Sequence, residues 1–573
     1  MPIQIQSSSL VKQAWQLIKT MPEQKALTFL AEQEERSYSV RQFFDLAAHH
    51  ALFLRERGVQ AGDLCVLVLR HDERVLSLFC GALLIGAVPS IFPFLSDKLD
   101  PERYFTSVRH MVEHSGAKLV LSYEEVAQPL RDVLQGLDVQ VFNIDAEPAF
   151  AFDASVQDAT ALWMEIEHAT YDADTVAFLQ HSSGSTGLQK GVMLPHRAVI
   201  NQLNDYSTAL DLQRTDVIAS WLPLYHDMGL ITGFLMPILF GVHLVLMSPF
   251  QWVRDPKILL HAITRHRATL CWLPNFAYGF LGTRIPDHAL DGVDLSSMRA
   301  FINCSEPVYA ESQRIFRERF IPYGLLENAL TVCYAMAENT FAVTQSVDEK
   351  VDVVERTALL EAGRAIPVSE PATPSREFVS CGAPIPNCSV RIMDEQRVQL
   401  DERQVGEVAI QGNSLFSGYF NQTELSQQVL VDGWFYSGDM GYIADGELYI
   451  TGRKKDLIIV AGKNIYPQDV ENLLHNITGI HAGRIASFGV PNESLGTEEV
   501  AIVAEVDDIS YRDDPHKRGA ILREVRGRVV QNLDVVARYV QLVPTKWLVK
   551  TSSGKVARTA NREKFIREFV EKV

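Results

Sequence analysis

The chain has 573 residues, more than one core supports, since single domains stop growing near about 250–300 residues. Its composition, 47% hydrophobic and 22% charged, excludes disordered, collagen-like and disulfide-scaffold classes. With 53 Lys+Arg against 71 Asp+Glu, the net charge of −18 argues against a nucleic-acid binder.

In chain order, Met1 to Lys12 shows no basic stretch followed by an apolar one, so no signal peptide is expected. Leu64–Leu69 reads as a strand and Asp72–Gly86 as the helix after it. Further strand-like runs are Lys118–Leu121, Val176–Gln180, Leu244–Met247 and Arg299–Asn303. This alternation predicts α/β layers with largely parallel sheets. Two uncharged runs, Ser77–Leu95 and Leu230–Phe250, approach membrane-span length. The first holds Pro89 and Pro93, the second Pro237, Gly241 and His243, so both read as helix-turn-strand segments of a large core. The seven cysteines contain no CxxC pair, which points to a reducing, cytoplasmic setting.

Thr344 to Arg376 is polar, carries Pro367, Pro371 and Pro374, and leaves room for a short helix at Val354–Ala362. It reads either as a mobile surface loop or as a functional connection. Beyond residue 455 the charge balance changes. Lys517–Arg567 holds 13 basic and 3 acidic residues, which suggests a separate C-terminal domain with one basic face, whether solvated or docking a partner.

The strongest local signal is Gln180-His-Ser-Ser-Gly-Ser-Thr-Gly-Leu-Gln-Lys-Gly191. Its glycines and hydroxyl side chains supply backbone and side-chain donors that can wrap a polyphosphate, and Lys190 adds charge. The spacing of Gly184, Gly187 and Lys190 is not that of a Walker A loop. Downstream follow Tyr334-Ala-Met-Ala-Glu338, Tyr436-Ser-Gly-Asp439, Gly452-Arg-Lys-Lys-Asp456, Gly462-Lys-Asn-Ile-Tyr-Pro467 and Thr551-Ser-Ser-Gly-Lys555. Each is weak alone; in this order behind the glycine-rich loop they are not coincidence.

Over nearly its whole length the chain resembles the adenylate-forming superfamily of acyl-CoA synthetases, peptide-synthetase adenylation domains and luciferases. Within it the similarity is closest to fatty acyl-AMP ligases. That narrower resemblance rests on Trp221–Leu230, Pro274–Tyr278, Asn303–Pro307, the Ala337 before Glu338, and the long segment after Glu338. It implies an α/β fold with a large multi-subdomain N-terminal adenylation domain, residues 1–454. A small mobile α+β C-terminal domain, residues 455–573, would turn about a hinge at Lys455.

The same resemblance implies site roles. Ser182, Ser183, Gly184, Ser185, Thr186, Gly187 and Lys190 would hold the ATP phosphates. Ser305, Glu306, Tyr334, Ala335, Met336 and Ala337 would line the nucleotide, Tyr334 by stacking on adenine. Asp439 and Arg453 would meet the ribose, and Glu338 would bind Mg²⁺. Lys555 would act on the α-phosphate and the attacking carboxylate. His226 would gate the acyl site, with a core histidine as the plain alternative. Met228, Ile231, Phe276 and Tyr278 are acyl-pocket candidates that core packing explains equally well.

The chain departs from the family pattern at His181, at Gln189 before Lys190, at Ala335 and at Ala337. The last fits the acyl-AMP ligase subgroup. The implied reaction is ATP-dependent conversion of a fatty acid to acyl-adenylate, then transfer to a holo acyl carrier protein. A CoA ligase and a non-catalytic acyl-binding protein are the rivals. Neither nucleic acid nor integral membrane association is expected.

Overall fold

The structure is a computed structural model that describes residues 2–32, 34–95, 101–151, 158–182, 190–370, 373–460, 463–492, 497–533, 535–551 and 554–571. Apolar, β-branched runs become central strands buried on both faces. Five of them, Leu330–Ala335, Ala300–Asn303, Leu270–Leu273, Val217–Ser220 and His243–Met247, run parallel, with Lys25–Leu30 beside the last. Antiparallel edge strands extend this to nine. A second sheet is parallel throughout, in the order Val88–Ile91, Leu64–Val68, Leu119–Ser122, Gln140–Asn143.

The expected helix is Glu73–Leu84, N-capped by the Asp72 carboxylate, which accepts from the Arg74 amide at 2.9 Å. Both suspect runs are core pieces. Ser77–Leu95 spans that helix and the strand Val88–Ile91, and Leu230–Phe250 includes the strand His243–Met247. Among the described residues no helix is long and apolar enough to cross a membrane.

The expectation of largely parallel sheets fails after residue 388. Cys388–Met393, Gly406–Gly412, Trp434–Ala444 and Glu447–Arg453 form an antiparallel sheet. Short turns such as Asp445-Gly446, both with positive φ, join neighbouring strands directly, and no crossover helix is needed.

The segment Thr344–Arg376 is not a structureless loop. Strand Val351–Glu355 pairs antiparallel with Ser375–Val379, and a helix, Arg356–Ala362, lies between them. Val354, Leu359, Ala365 and Phe378 pack on Tyr442, Ala444 and Tyr449 of the antiparallel sheet. The helix starts two residues later than expected, because Val354 and Glu355 are held in the strand.

The largest apolar cluster has its last member at Leu448, and a separate cluster begins at Ile458. The latter contains the strands Ile480–Asn492, Thr497–Val506 and Ala537–Val543, covered by the helices Pro467–Leu474 and Pro515–Leu533. Pro515–Leu533 buries Ile521, Val525, Val529 and Leu533, one side chain per turn. Arg523 and Arg526 between them are exposed, whereas Arg528 is half-buried and donates to the Leu473 carbonyl at 2.8 Å.

Candidate functional site

Between these two bodies lies a cleft of about 2180 Å³ whose lining draws on both. At one end, strands Val176–Ser182 and Lys190–Pro195 pair antiparallel, with Ser182 opposite Lys190. The described chain resumes after the glycine-rich connection as the strand Lys190–Pro195. Ser183, Gly184, Ser185, Thr186 and Gly187 lie outside the described residues, as does the Ser182 side chain.

The Lys190 ammonium sits 4.7 Å from the centre of the Tyr419 ring, and the Tyr419 hydroxyl donates to Glu338 Oε1 at 2.8 Å. Burial and the Glu338 charge push the Tyr419 hydroxyl pKa far up, so it stays a donor. Tyr419 was not singled out from the sequence. It follows Gly418 on an irregular stretch, and nothing in its spacing separates it from the core aromatics around it. Glu338 occupies a single tight turn, Ala337–Asn339, after the extended Met336, and Thr340 at φ 61° turns the chain back. Its backbone carbonyl accepts from the Phe416 amide at 2.9 Å, which fixes the turn against the stretch bearing Tyr419.

A second constellation is built on strand register. Asp439 in Trp434–Ala444 lies opposite Arg453 in Glu447–Arg453. Arg453 Nε donates to Asp439 Oδ1 at 3.1 Å, and the Tyr334 hydroxyl donates to Oδ2 at 2.6 Å. The Asp439 amide donates to Ser437 Oγ at 3.0 Å. The Asp439 carboxylate is thereby oriented by side chains from two other strands. The Tyr334 pKa is raised by burial and by the adjacent carboxylate. Ala335, Met336 and Ala337 continue the cleft wall from Tyr334 to Glu338.

The third group joins the two bodies. Ser305, just past strand Ala300–Asn303, holds φ at 71°, which turns the chain so that its carbonyl is open to the cleft. Lys555, on the turn after Thr551, donates to that carbonyl at 2.5 Å. Burial lowers the Lys555 pKa, opposed by the charges of Glu306 and Asp227. Glu306 accepts from the Phe276 amide at 3.1 Å.

His226 is half-buried on the same wall, and its pKa is lowered to about 3 by desolvation of the ring and then by Lys555. Its Nε2 has no partner among the described residues. The wide helix Met228–Leu235 that follows packs so closely that a Cβ on Gly229 would lie 2.2 Å from the Pro223 carbonyl oxygen. That contact sets where His226 and Asp227 emerge.

Of the acyl-pocket candidates, Phe276 lines the cleft and is 47% exposed. Met228 is buried with its sulfur 3.7 Å from Ser305 Oγ. Ile231 and Tyr278 are core residues, Tyr278 packed edge-on to Phe316. Lys455 lies on the single turn Lys454–Asp456 at the cleft rim, and burial lowers its pKa. Among the described residues the His, Cys, Asp or Glu side chains grouped closely enough to share an ion are His110, Glu113 and His114, all exposed and none on the cleft wall.

The arrangement offers a cationic end at Lys190, a carboxylate at Glu338, a hydrogen-bonding carboxylate at Asp439 and an ammonium brought in by the smaller body. That set suits a phosphate-bearing nucleotide and an anionic second substrate.

Comparison with known proteins agrees with this reading. The family described as AMP-binding enzyme matches residues 14–420. A relative named medium-chain-fatty-acid–[acyl-carrier-protein] ligase JamA, from Moorena producens, is 31% identical over 95% of this chain and 92% of its own. A putative acyl-CoA synthetase from Caulobacter vibrioides is 30% identical over 89% and 87%. A solved chain from a study of fatty acyl-adenylate ligases of E. coli and L. pneumophila aligns over 100% of both chains, with a TM-score of 0.86 and 25% identity. The chain belongs to the AMP-binding enzyme family.

Proposed function

We propose that the protein is a fatty acyl-AMP ligase that activates a fatty acid with ATP and passes the acyl group to a carrier protein. The observation that carries this reading is the reach of Lys555 from the smaller body to the Ser305 carbonyl, inside the cleft that holds Glu338 and Asp439. A carboxylate oxygen of the acid attacks the α-phosphorus of ATP. The bond to the bridging oxygen breaks, and acyl-adenylate and pyrophosphate result. Lys555 neutralises charge that develops on the carboxylate and α-phosphate oxygens, where a cation held in advance is worth most.

Lys190 and the glycine-rich loop, Ser182 to Gly187, carry the outer phosphates. Tyr334, Ser305 and Glu306 face the base, and Asp439 with Arg453 faces the sugar. Glu338 is the residue that would hold Mg²⁺, which supplies charge neutralisation on the phosphates. A hard carboxylate donor on the cleft wall fits that ion. The acid enters past Phe276 and His226, the latter neutral because desolvation lowers its pKa.

The domains divide at Lys455 into 1–454 and 455–573, with Lys455 the hinge. After rotation there, a phosphopantetheine thiol attacks the acyl carbonyl and AMP leaves. The exposed Arg518, Arg523 and Arg526 of Pro515–Leu533 favour an acidic carrier.

A second reading, CoA as acceptor, is favoured by the name of the Caulobacter relative. Pyrophosphate release across a panel of fatty acids, followed by thioester formation with CoA and with a holo carrier protein, tests both. We expect acid-dependent pyrophosphate release and carrier thioester with little acyl-CoA. Efficient acyl-CoA formation would replace the first reading with the second.

A further inference from the structure

The helix Pro101–Ser115 has two unlike faces. Tyr104, Val108 and Val112 are buried in one apolar cluster with Val66, Val68 and Val120. The Tyr104 hydroxyl also donates to the Pro93 carbonyl at 2.8 Å. These contacts fix the rotation of the helix about its axis. They turn His110, Glu113 and His114 outward, and all three are exposed.

Helical residues three and four apart are neighbours on one side of the helix. One candidate ligand atom from each of the three, an imidazole nitrogen or a carboxylate oxygen, lies within 4.8 Å of the others. Tetrahedral ligands about 2.1 Å from a zinc ion are about 3.4 Å apart, so small rotations of exposed side chains close the set. The His114 ring is already oriented, with Nδ1 2.8 Å from the His110 carbonyl oxygen. A carbonyl only accepts, so Nδ1 carries the hydrogen and the lone pair of the neutral ring is at Nε2. Zinc-bound histidines are held by the same kind of hydrogen bond from the ring nitrogen that does not meet the metal. The Glu113 carboxylate has no ion-pair partner among the described residues. Arg109, one turn earlier, engages the Val133 and Gln135 carbonyls instead.

We infer that His110, Glu113 and His114 form a surface site for one divalent transition cation of the zinc class. Two imidazoles select such a metal over Mg²⁺, which prefers oxygen ligands alone. The three side chains lie off the cleft wall, so the bound ion is structural and not catalytic. Its place gives it a use. The His114 carbonyl, in the last turn of the helix, accepts from Asn421 Nδ2 at 2.7 Å, two residues past Tyr419. A cation bridging His110 and His114 fastens the turn on which that contact stands.

The test uses the full-length protein, free of affinity tag, metal and nucleotide, titrated with zinc chloride by calorimetry. Wild type is expected to bind one equivalent more than the double variant His110→Gln, His114→Gln. Either single variant should bind that equivalent at least about tenfold more weakly, since loss even of a ligand's hydrogen-bond partner costs that much. Equal zinc uptake by wild type and double variant would overturn the site, as would displacement of the zinc by an equal concentration of Mg²⁺.

A second measurement needs no variant. Wild type is treated with diethyl pyrocarbonate, and labelling of each histidine is read by mass spectrometry. Zinc at about ten times its dissociation constant should slow labelling of His110 and His114 about tenfold. The exposed His288 and His516 should label at an unchanged rate. Undiminished labelling of His110 and His114 would contradict the site. Neither nucleotide nor fatty acid enters either assay, so failure here is distinct from failure of the ligase reading.

Discussion

At the scale of single residues, the chemistry of this cleft comes from side chains whose partners lie far away in sequence. Tyr419 shows this most clearly. Its ring faces Lys190 and its hydroxyl holds Glu338, so it links two groups that the motifs identify separately. Tyr419→Phe keeps the ring and deletes the hydrogen bond to a charged acceptor. We expect adenylation to fall about tenfold, the scale for one such bond, with an unchanged fold. Steady-state pyrophosphate release beside a thermal melt checks this; full activity would show that Glu338 needs no such orientation. Lys190, Glu338, Asp439 and Lys555 were legible because charged residues in short Gly- and Ser-rich motifs stand out from the apolar background. Tyr419 was not, because a buried aromatic in a large core carries no local mark. Nor do the motifs reveal that Ile231 and Tyr278 point into the core, since apolar identity is the same on either side of a wall.

At the scale of elements, the hairpin Val351–Glu355 with Ser375–Val379 grips the small body as well as the large one. Arg376 lies 2.5 Å from Asp469 on helix Pro467–Leu474, and its guanidinium stacks over Phe378 and Tyr466. Burial pushes the Asp469 carboxyl up to about 6, against the opposing pull of Arg376. A carboxyl raised in this way binds its proton more tightly in the docked form, so lower pH favours docking through this group. Arg376→Ala leaves Asp469 buried and uncompensated, a loss of about 3 kcal/mol for a broken buried pair. The thermal midpoint of this variant should drop more at pH 8 than at pH 5.5, where Asp469 can protonate. An equal drop at both would contradict the burial of that charge. In the sequence this segment reads as loop-like because its two strands are short and largely exposed or half-buried, and three prolines lie in the connection between them. The buried partners that order it, Tyr442 and Tyr449, come much later in the chain.

At the scale of the whole molecule, four buried histidines and two half-buried ones bear on acid stability. Burial lowers His50, His71 and His226 to about 3, and His181, His196 and His243 to about 4, from an ordinary value of 6.5. Between pH 6.5 and 4 the unfolded chain binds protons that the native one refuses, so stability falls as pH falls. Each contributes up to about 1.4 kcal/mol per pH unit in that window. Urea unfolding at pH 7 and pH 5 should show a clearly lower midpoint at pH 5; an unchanged midpoint would contradict their burial as neutral rings.

The parallel core was legible in the sequence through its alternation of β-branched runs and helical stretches. The antiparallel sheet after residue 388 was not, because its strands are half exposed and lack that signature. The central claim, that the small body delivers Lys555 to an adenylation cleft, is tested most directly by a single-turnover measurement of acyl-AMP. Wild-type protein with MgATP and a fatty acid should form it, and Lys555→Ala should form it about 10²–10³ times more slowly, the scale for losing one preorganised charge. Acyl-AMP formed by Lys555→Ala at the wild-type rate would contradict the account.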